Sequence, residues 1–464
     1  MPFGSQGVES MRDTVNMDEA YILLYDSTGR NSYALYNIRA SEENNALESY
    51  TVEGGENNPF EIITLNIPRK KLNQVASNLT RPGAVVNGVN KIYVNAVGKG
   101  TYIVHDNNLM TNDNTVKIVG YCQAAIGLRN VAWSTEIAAA SPFRLIKDII
   151  TSPTYGGPYI PGKLRYWFID KDEPEDKLTF PAGANLWNVL QVCAMYLGCK
   201  IFFSGNDAYL VDYRLTVNKD LITLNATEGT IGNIGFRCST EEIMGNDGKS
   251  QNPPIYLPDA LYDFDTIDIY TRDSNRPEYG KCVGQVSLGG EGETTIKNKV
   301  TIKCKDGVEA TVEDTAAQKA YGMTKADDPK TLSYLRELKE PGSADINKTT
   351  LYHQGQVLAA NIVDYMSEGQ QSITFSMKEL QSVGGSTYWI PFFPPGSRIK
   401  GVDDEVDDIH INNTSVVNSS TVKPQKLALS TYSRSFPNGI TKYSFGIMES
   451  IDLPTALSEL SANL

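Results

Sequence analysis

Between Ala20 and about Glu136, apolar and polar residues alternate in short runs: Tyr21 to Tyr25, Phe60 to Ile67, Ile92 to Val97, Tyr102 to His105 and Val116 to Tyr121. A period of two puts successive side chains on opposite faces of an extended chain, so each run predicts a half-buried strand. Gly98-Lys99-Gly100 joins two of these runs at hairpin length, and Asp106-Asn107-Asn108 ends the next. The region is expected to form a small antiparallel sheet closed into a barrel or sandwich.

From Ser141 to Tyr213 the pattern changes. Ser141-Pro142 offers a side-chain cap followed by a residue whose fixed φ suits the first helical position, and Leu145, Ile146, Ile149 and Ile150 share one face. This helix stops before Pro153. A strand is expected from Leu164 to Ile169. A second helix starts near Asn185, with Leu186, Val189, Leu190, Cys193, Ala194 and Leu197 inward and Gly198 placed for a left-handed cap. Cys199 to Phe203 and Ala208 to Val211 then read as a hairpin through Ser204-Gly205-Asn206-Asp207. An α/β island inside β sequence implies an inserted module.

Strand patterns resume at Leu221 to Leu224 and Ile231 to Cys238, break at the turn-rich stretch Gly245 to Pro254, and continue at Thr266 to Thr271. Lys299 to Lys303 and Glu309 to Val312 flank Asp306-Gly307 as a further hairpin. The polar stretch Lys325 to Asn347 predicts a surface excursion. A helix from about Thr350 to Met366 turns Leu351, Val357, Leu358, Ile362 and Tyr365 inward and leads into a strand from Ser372 to Met377. Leu427 to Ser433 and Ile440 to Ile447 alternate around Pro437-Asn438-Gly439, a strong hairpin signal.

At 464 residues the chain exceeds the roughly 250 to 300 residues over which one core keeps growing, so two to four domains are expected. Apolar content of 41% and charged content of 21% describe a globular chain, and 25 tyrosines suit β structure and protein interfaces. With 42 basic and 55 acidic residues the net charge is −13, which disfavours tight nucleic-acid binding. No apolar run reaches membrane-spanning length, and Met1 to Ser5 has neither a basic nor an apolar leader region, so neither secretion by that route nor membrane insertion is expected. The 6 cysteines, Cys122, Cys193, Cys199, Cys238, Cys282 and Cys304, form no C-x-x-C pair and read as reduced packing residues.

Candidate chemistry is thin. His105, His353 and His410 have no ligand or nucleophile spacing. The acidic run Asp403, Asp404, Glu405, Asp407 and Asp408 lacks calcium-loop spacing and reads as a solvated loop. A second cluster, Asp170, Asp172, Glu173, Glu175 and Asp176, surrounds Pro174 in an exposed loop, a poor setting for a glycosidase carboxylate pair. Gly289-Gly290-Glu291-Gly292 is not followed by Lys-Ser/Thr and precedes a strand, so it is a weak phosphate loop. The aromatic patch Tyr388, Trp389, Phe392 and Phe393, interleaved with Pro391, Pro394 and Pro395, fits core or interface packing better than sugar stacking. The reading that follows is no enzyme, with no catalytic, cofactor-binding or metal residues.

The helix that ends in Thr151-Ser152-Pro153-Thr154-Tyr155-Gly156-Gly157, the later Asn185-Leu186-Trp187 helix with Gly198 and its hairpin, and the flanking β-domains together resemble the hub proteins of bacteriophage tails. Thr311 to Gly322 with Asp314 before Ala320-Tyr321-Gly322, the helix around Ala359-Ala360-Asn361, and Pro394-Pro395-Gly396-Ser397-Arg398-Ile399 extend the resemblance over about residues 60 to 450. It implies a mainly β fold with an α/β insertion, built from two related antiparallel β-barrel domains. The division expected is residues 1–138 for the first barrel with an N-terminal arm, 139–215 for the inserted module, and 216–244 for the start of the second barrel. Residues 245–293 would then be a small insertion or loops, and 294–464 the remainder of the second barrel. It also implies a homotrimer that adapts a six-fold tail tube to a three-fold tip, fibre or spike, with tape-measure and distal tail proteins as neighbours. DNA would pass through the lumen without specific binding. Such a protein assembles in the bacterial host cytoplasm and ends in the virion. Alternatives are a carbohydrate-binding or depolymerising tail protein and a distal tail adaptor.

Overall fold

The computed structural model describes residues 15–26, 28–55, 58–81, 83–111, 113–129, 132–151, 164–167, 177–180, 182–205, 207–212, 222–226, 234–238, 243–244, 250–255, 267–268, 287–290, 298–304, 308–321, 330–332, 348–366, 371–383, 385–389, 391, 398–399 and 427–446. Between residues 21 and 122 lie seven strands: β1 Tyr21–Tyr25, β2 Ser32–Asn37, β3 Ser49–Gly54, β4 Ile62–Pro68, β5 Lys91–Asn95, β6 Gly100–Asn107 and β7 Thr115–Cys122. All pair antiparallel, in the spatial order β2-β1-β5-β6-β7-β4-β3. Their burial alternates as the sequence pattern requires: in β4, Ile63, Leu65 and Ile67 are fully buried while their neighbours are half-buried. Helix α1, Gln123–Arg129, follows β7 directly.

The inserted module contains β8 Ile137–Ala140, α2 Pro142–Thr151, β9 Leu164–Trp167, β10 Leu178–Phe180, α3 Leu186–Tyr196, β11 Cys199–Ser204 and β12 Asp207–Asp212. β12 lies centrally, antiparallel to β11 and parallel to β9, and α2 packs on α3. The caps read from the sequence are in place. Ser141 Oγ accepts the Arg144 amide at 3.3 Å, Asn185 Oδ1 accepts the Trp187 and Asn188 amides at 2.9 and 3.4 Å, and Gly198 adopts φ +70°. Leu145, Ile146, Ile149 and Ile150 of α2 are buried, and every side chain of α3 except the half-buried Gln191 is buried, as befits a helix enclosed by its neighbours.

The later strands are β13 Ser287–Gly290, β14 Lys299–Cys304 and β15 Glu309–Glu313; then come α4 Thr315–Tyr321, α5 Lys348–Met366, β16 Gln371–Lys378, β17 Leu380–Val383, β18 Ser386–Trp389, β19 Leu427–Phe436 and β20 Ile440–Gly446. Asp314 Oδ1 caps α4 by accepting the Ala316 and Ala317 amides at 3.0 and 2.9 Å. The decisive pairing is between β3 and β19, with Gly54 opposite Tyr432 and Val52 opposite Arg434. Through it the sheet runs on as β3-β19-β20-β16-β13, so strands from the two β-rich stretches share one antiparallel sheet. α5 packs on β14, β15 and α3. A mainly β architecture with an α/β insertion is therefore what the chain adopts.

Two expectations need correcting. Part of the turn-rich stretch Gly245 to Pro254 is a strand, Ser250–Ile255, bridged to Ile243–Met244 at Ser250 and Ile255 only; Pro253 and Pro254, which cannot donate, fall between the bridges. The N-terminal segment ahead of Ala20, where the sequence reading places an arm and no strand, contributes Val15–Asn16, paired antiparallel with Trp389 and Tyr388 of β18.

Candidate functional site

Glu61 immediately precedes β4 and is only 1% exposed. A carboxylate this deep must be surrounded by donors, because an unpaired buried charge is very costly. Its Oε1 accepts the Tyr432 hydroxyl at 2.6 Å, Arg434 Nη1 at 3.2 Å and the Ser204 hydroxyl at 3.3 Å. Its Oε2 accepts the Gly205 amide at 2.6 Å, and the Tyr102 hydroxyl shares its proton between this oxygen at 3.1 Å and Gly98 O at 2.8 Å. One side chain thus gathers the first β-region, the tip of the module's β11–β12 hairpin, and β19 from the far end of the chain. Burial first, and then the charge of Glu61, raises the Tyr102 and Tyr432 phenols well above their usual pKa. Both hydroxyls therefore remain proton donors.

Close backbone approach makes this convergence fit. A Cβ on Gly54 would lie 2.5 Å from Tyr432 Oη, and one on Gly100 would lie 3.1 Å from Gly205 Cα. Glycine at these positions lets the tyrosine and the hairpin tip reach Glu61 with no Cβ in the way. Beside them the Phe203 amide donates to Pro59 O at 2.8 Å, Phe60 stacks on Phe203 with centroids 5.3 Å apart, and Trp187 of α3 lies 4.6 Å from Phe60. The Arg129 guanidinium stands over Phe60 at 4.7 Å. The module is therefore seated by an aromatic cluster around a polar centre. A further tie comes from α5: Asn361, itself buried, donates to Met195 O at 2.9 Å and Tyr196 O at 3.1 Å, satisfying carbonyls at the C-terminus of α3.

A second carboxylate, Glu379, is fully buried between β16 and β17. Its Oε2 accepts Trp389 Nε1 at 3.0 Å and Thr441 Oγ1 at 2.5 Å, and its Oε1 accepts the Tyr443 hydroxyl. Arg434 lies close to both carboxylates. Its guanidinium carbon is 4.1 Å from the Tyr432 ring and 5.2 Å from the Trp389 ring. Burial opposes its charge, but Tyr432, Glu61, Tyr443 and Glu379 outweigh that and raise its pKa above the ordinary guanidinium value.

These groups fasten distant segments, and no substrate-sized opening is needed to explain them. Trp389 is fully buried with its N–H on Glu379, so as folded it has no face to offer a sugar. His105 is exposed and edge-on to Tyr121 at 4.8 Å, and His353 is exposed on α5. Gly289 and Gly290 lie in β13 opposite Ser372 and Gln371, as sheet residues. His410, the runs Asp170 to Asp176 and Asp403 to Asp408, Glu291, Gly292, Phe392 to Ser397, Cys238's side chain and Cys282 fall outside what is described. Among the described residues no group of three or more His, Cys, Asp or Glu is arranged to hold a metal, and no helix is long and apolar enough to cross a membrane. Cys122 and Cys193 are buried free thiols, and burial pushes the Cys122 thiol up to about 12. Sequence reasoning missed Glu61, Glu379 and Arg434. For Glu61 and Arg434 the available signal was a lone charged residue inside a strand run, Phe60 to Ile67 and Leu427 to Phe436.

No family model and no curated protein matches the chain. Among solved structures it is similar to a tail protein from Neisseria meningitidis MC58, at 12% identity and TM-score 0.47 over 94% of this chain and 99% of that one. It is also similar to the 43 kDa tail protein of prophage MuSo2 from Shewanella oneidensis, at 11% identity and TM-score 0.45 over 94% and 99%. A third is prophage tail protein gp18 from Listeria monocytogenes EGD-e, at 9% identity and TM-score 0.44 over 95% and 99%. Likeness at this level assigns no activity.

Proposed function

We propose that the chain is a structural component of a phage tail, namely the hub of a tail tip or baseplate. The observation that carries this reading is the single antiparallel sheet built from both ends of the chain, with an α/β module seated on it at Glu61. Such a body holds a module at a set position relative to a broad sheet, as an adaptor between unlike neighbours requires. Its buried polar groups are engaged in fastening segments together. On this reading residues 1–138 and 216–464 supply the two barrel-type domains, with 245–293 as a small insertion or loops, and residues 139–215 face the tip. Three copies adapt a six-fold tail tube or distal tail protein to a three-fold tip, fibre or spike protein, next to the tape-measure protein. The net charge of −13 fits a conduit that repels phosphate, so DNA passes without being held during ejection. The protein assembles in the host cytoplasm and functions in the virion.

Native mass spectrometry of the purified chain with its tube partner, followed by imaging of the assembled particle, tests this. A three-fold ring with the module toward the tip is the expected result. A six-fold ring makes the chain a distal tail adaptor instead, and a monomer at high concentration in the presence of the tube overturns the reading. The carbohydrate-binding alternative loses its central aromatic to the core, and glycan-array binding abolished by W389A with the fold intact would restore it.

A further inference from the structure

Arg434 is 2% exposed, and only its Nη1 is hydrogen-bonded, to Glu61; Nε and Nη2 have no partner. Two orphaned donors on a buried guanidinium are costly, so a position that gives them an acceptor is favoured. A second buried carboxylate, Glu379, offers such an acceptor. Arg434 pairs across the hairpin with Thr441, whose hydroxyl is on Glu379 Oε2, and the guanidinium borders Trp389, whose N–H is on that same oxygen. Two buried carboxylates thus share one cluster with a buried cation that in this arrangement bonds Glu61.

Each carboxylate secures a different part of the molecule. Glu61 holds the module through Ser204 and Gly205. Glu379 holds Trp389, the strand partner of Val15 in the N-terminal segment. We infer that Arg434 is a two-position arm shared between Glu61 and Glu379, so that seating of the inserted module is coupled to docking of the N-terminal segment on β18. Engagement of Glu379 leaves Glu61 buried without its cation, a cost relieved when the junction around Ser204 and Gly205 opens; engagement of Glu61 does the same at Glu379 and Trp389. The coupling is reciprocal, as any equilibrium linkage must be. Its physical basis is one side chain with two arrangements, and no longer pathway is required.

Amide hydrogen exchange on the full chain distinguishes this from simple loosening. E379Q removes the competing charge, leaving Arg434 on Glu61, and exchange at Gly205 slows several-fold although the substitution is made in a different part of the sheet. Y443F, which keeps shape, takes a donor from Glu379, strengthens its demand for Arg434, and speeds exchange at Gly205 several-fold relative to the Val94 and Ile118 amides of the same sheet. The opposite signs carry the test. Exchange at Gly205 that rises in both variants, or changes in neither, overturns the shared arm. If E379Q does not fold, Y443F decides by itself: selective acceleration at Gly205 supports the coupling, and acceleration shared equally by Val94 and Ile118 overturns it.

Discussion

Glu61 and Glu379 are both buried carboxylates at strand ends of one sheet, yet they fasten the chain over different distances. The donors to Glu379 come from Trp389, Thr441 and Tyr443, within the C-terminal strands. Those to Glu61 come from Tyr102, Ser204, Gly205, Tyr432 and Arg434, which span three separate stretches of the chain. The chemistry is the same in kind; what differs is the topology it closes. A short-range polar tie stabilises a meander, whereas a long-range one holds module, first β-region and C-terminal hairpin in register.

The comparison is broken most directly at Arg434. R434A leaves Glu61 buried without its cation and should cost about 3–5 kcal/mol, the usual penalty for removing one member of a buried pair. Denaturant unfolding should show this as early loss of both the β3–β19 pairing and the hairpin Cys199 to Asp212, read by peptide-resolved exchange; a loss confined to β19 and β20 would mean the tie is local after all. T441V removes one donor from Glu379 and should cost about 1.5–3 kcal/mol, the range for a hydrogen bond to a charged group. Its effect should stay within β16 to β20.

Gly54 tests the long-range side by sterics instead of charge. G54A forces a methyl into the space of the Tyr432 hydroxyl and should cost about 1–3 kcal/mol by overpacking, seen as a lowered melting temperature. It should be partly rescued by Y432F, which removes the clashing oxygen. A surface carboxylate supplies the smallest effect. The Thr28 hydroxyl, together with Asn31 and nearby backbone amides, holds Asp26 down to about 2. Because this lies below the unfolded value of about 3.9, the Asp26 turn stabilises the fold above about pH 4 and loses that contribution as pH falls toward 2. In T28V the Asp26 carboxyl should titrate at higher pH by NMR; an unchanged titration would show that Thr28 does not set it.

Most elements were legible because local rules act where they are written. The Asn185 cap, the Gly198 terminus, the β11–β12 hairpin and the β19–β20 hairpin all fall where side-chain caps, left-handed glycine and turn residues put them. Helices Arg69–Val75 and Gln123–Arg129, and strands β2 and β3, were not read, since elements of only six or seven residues carry little periodicity of their own. Nor did any pattern mark Glu61 as a junction. A single charge in an apolar run looks alike whether it faces water or a buried arginine.

Alternation, caps and turn residues are properties of neighbouring residues, and they determined by themselves that this chain is mainly β with an α/β insertion between Ser141 and Tyr213. The pairing of β3 with β19, and the meeting of Glu61 with Ser204 and Arg434, join residues far apart in the chain. Such contacts depend on which strand edges and buried charges come together in space, so only the tertiary structure could decide them.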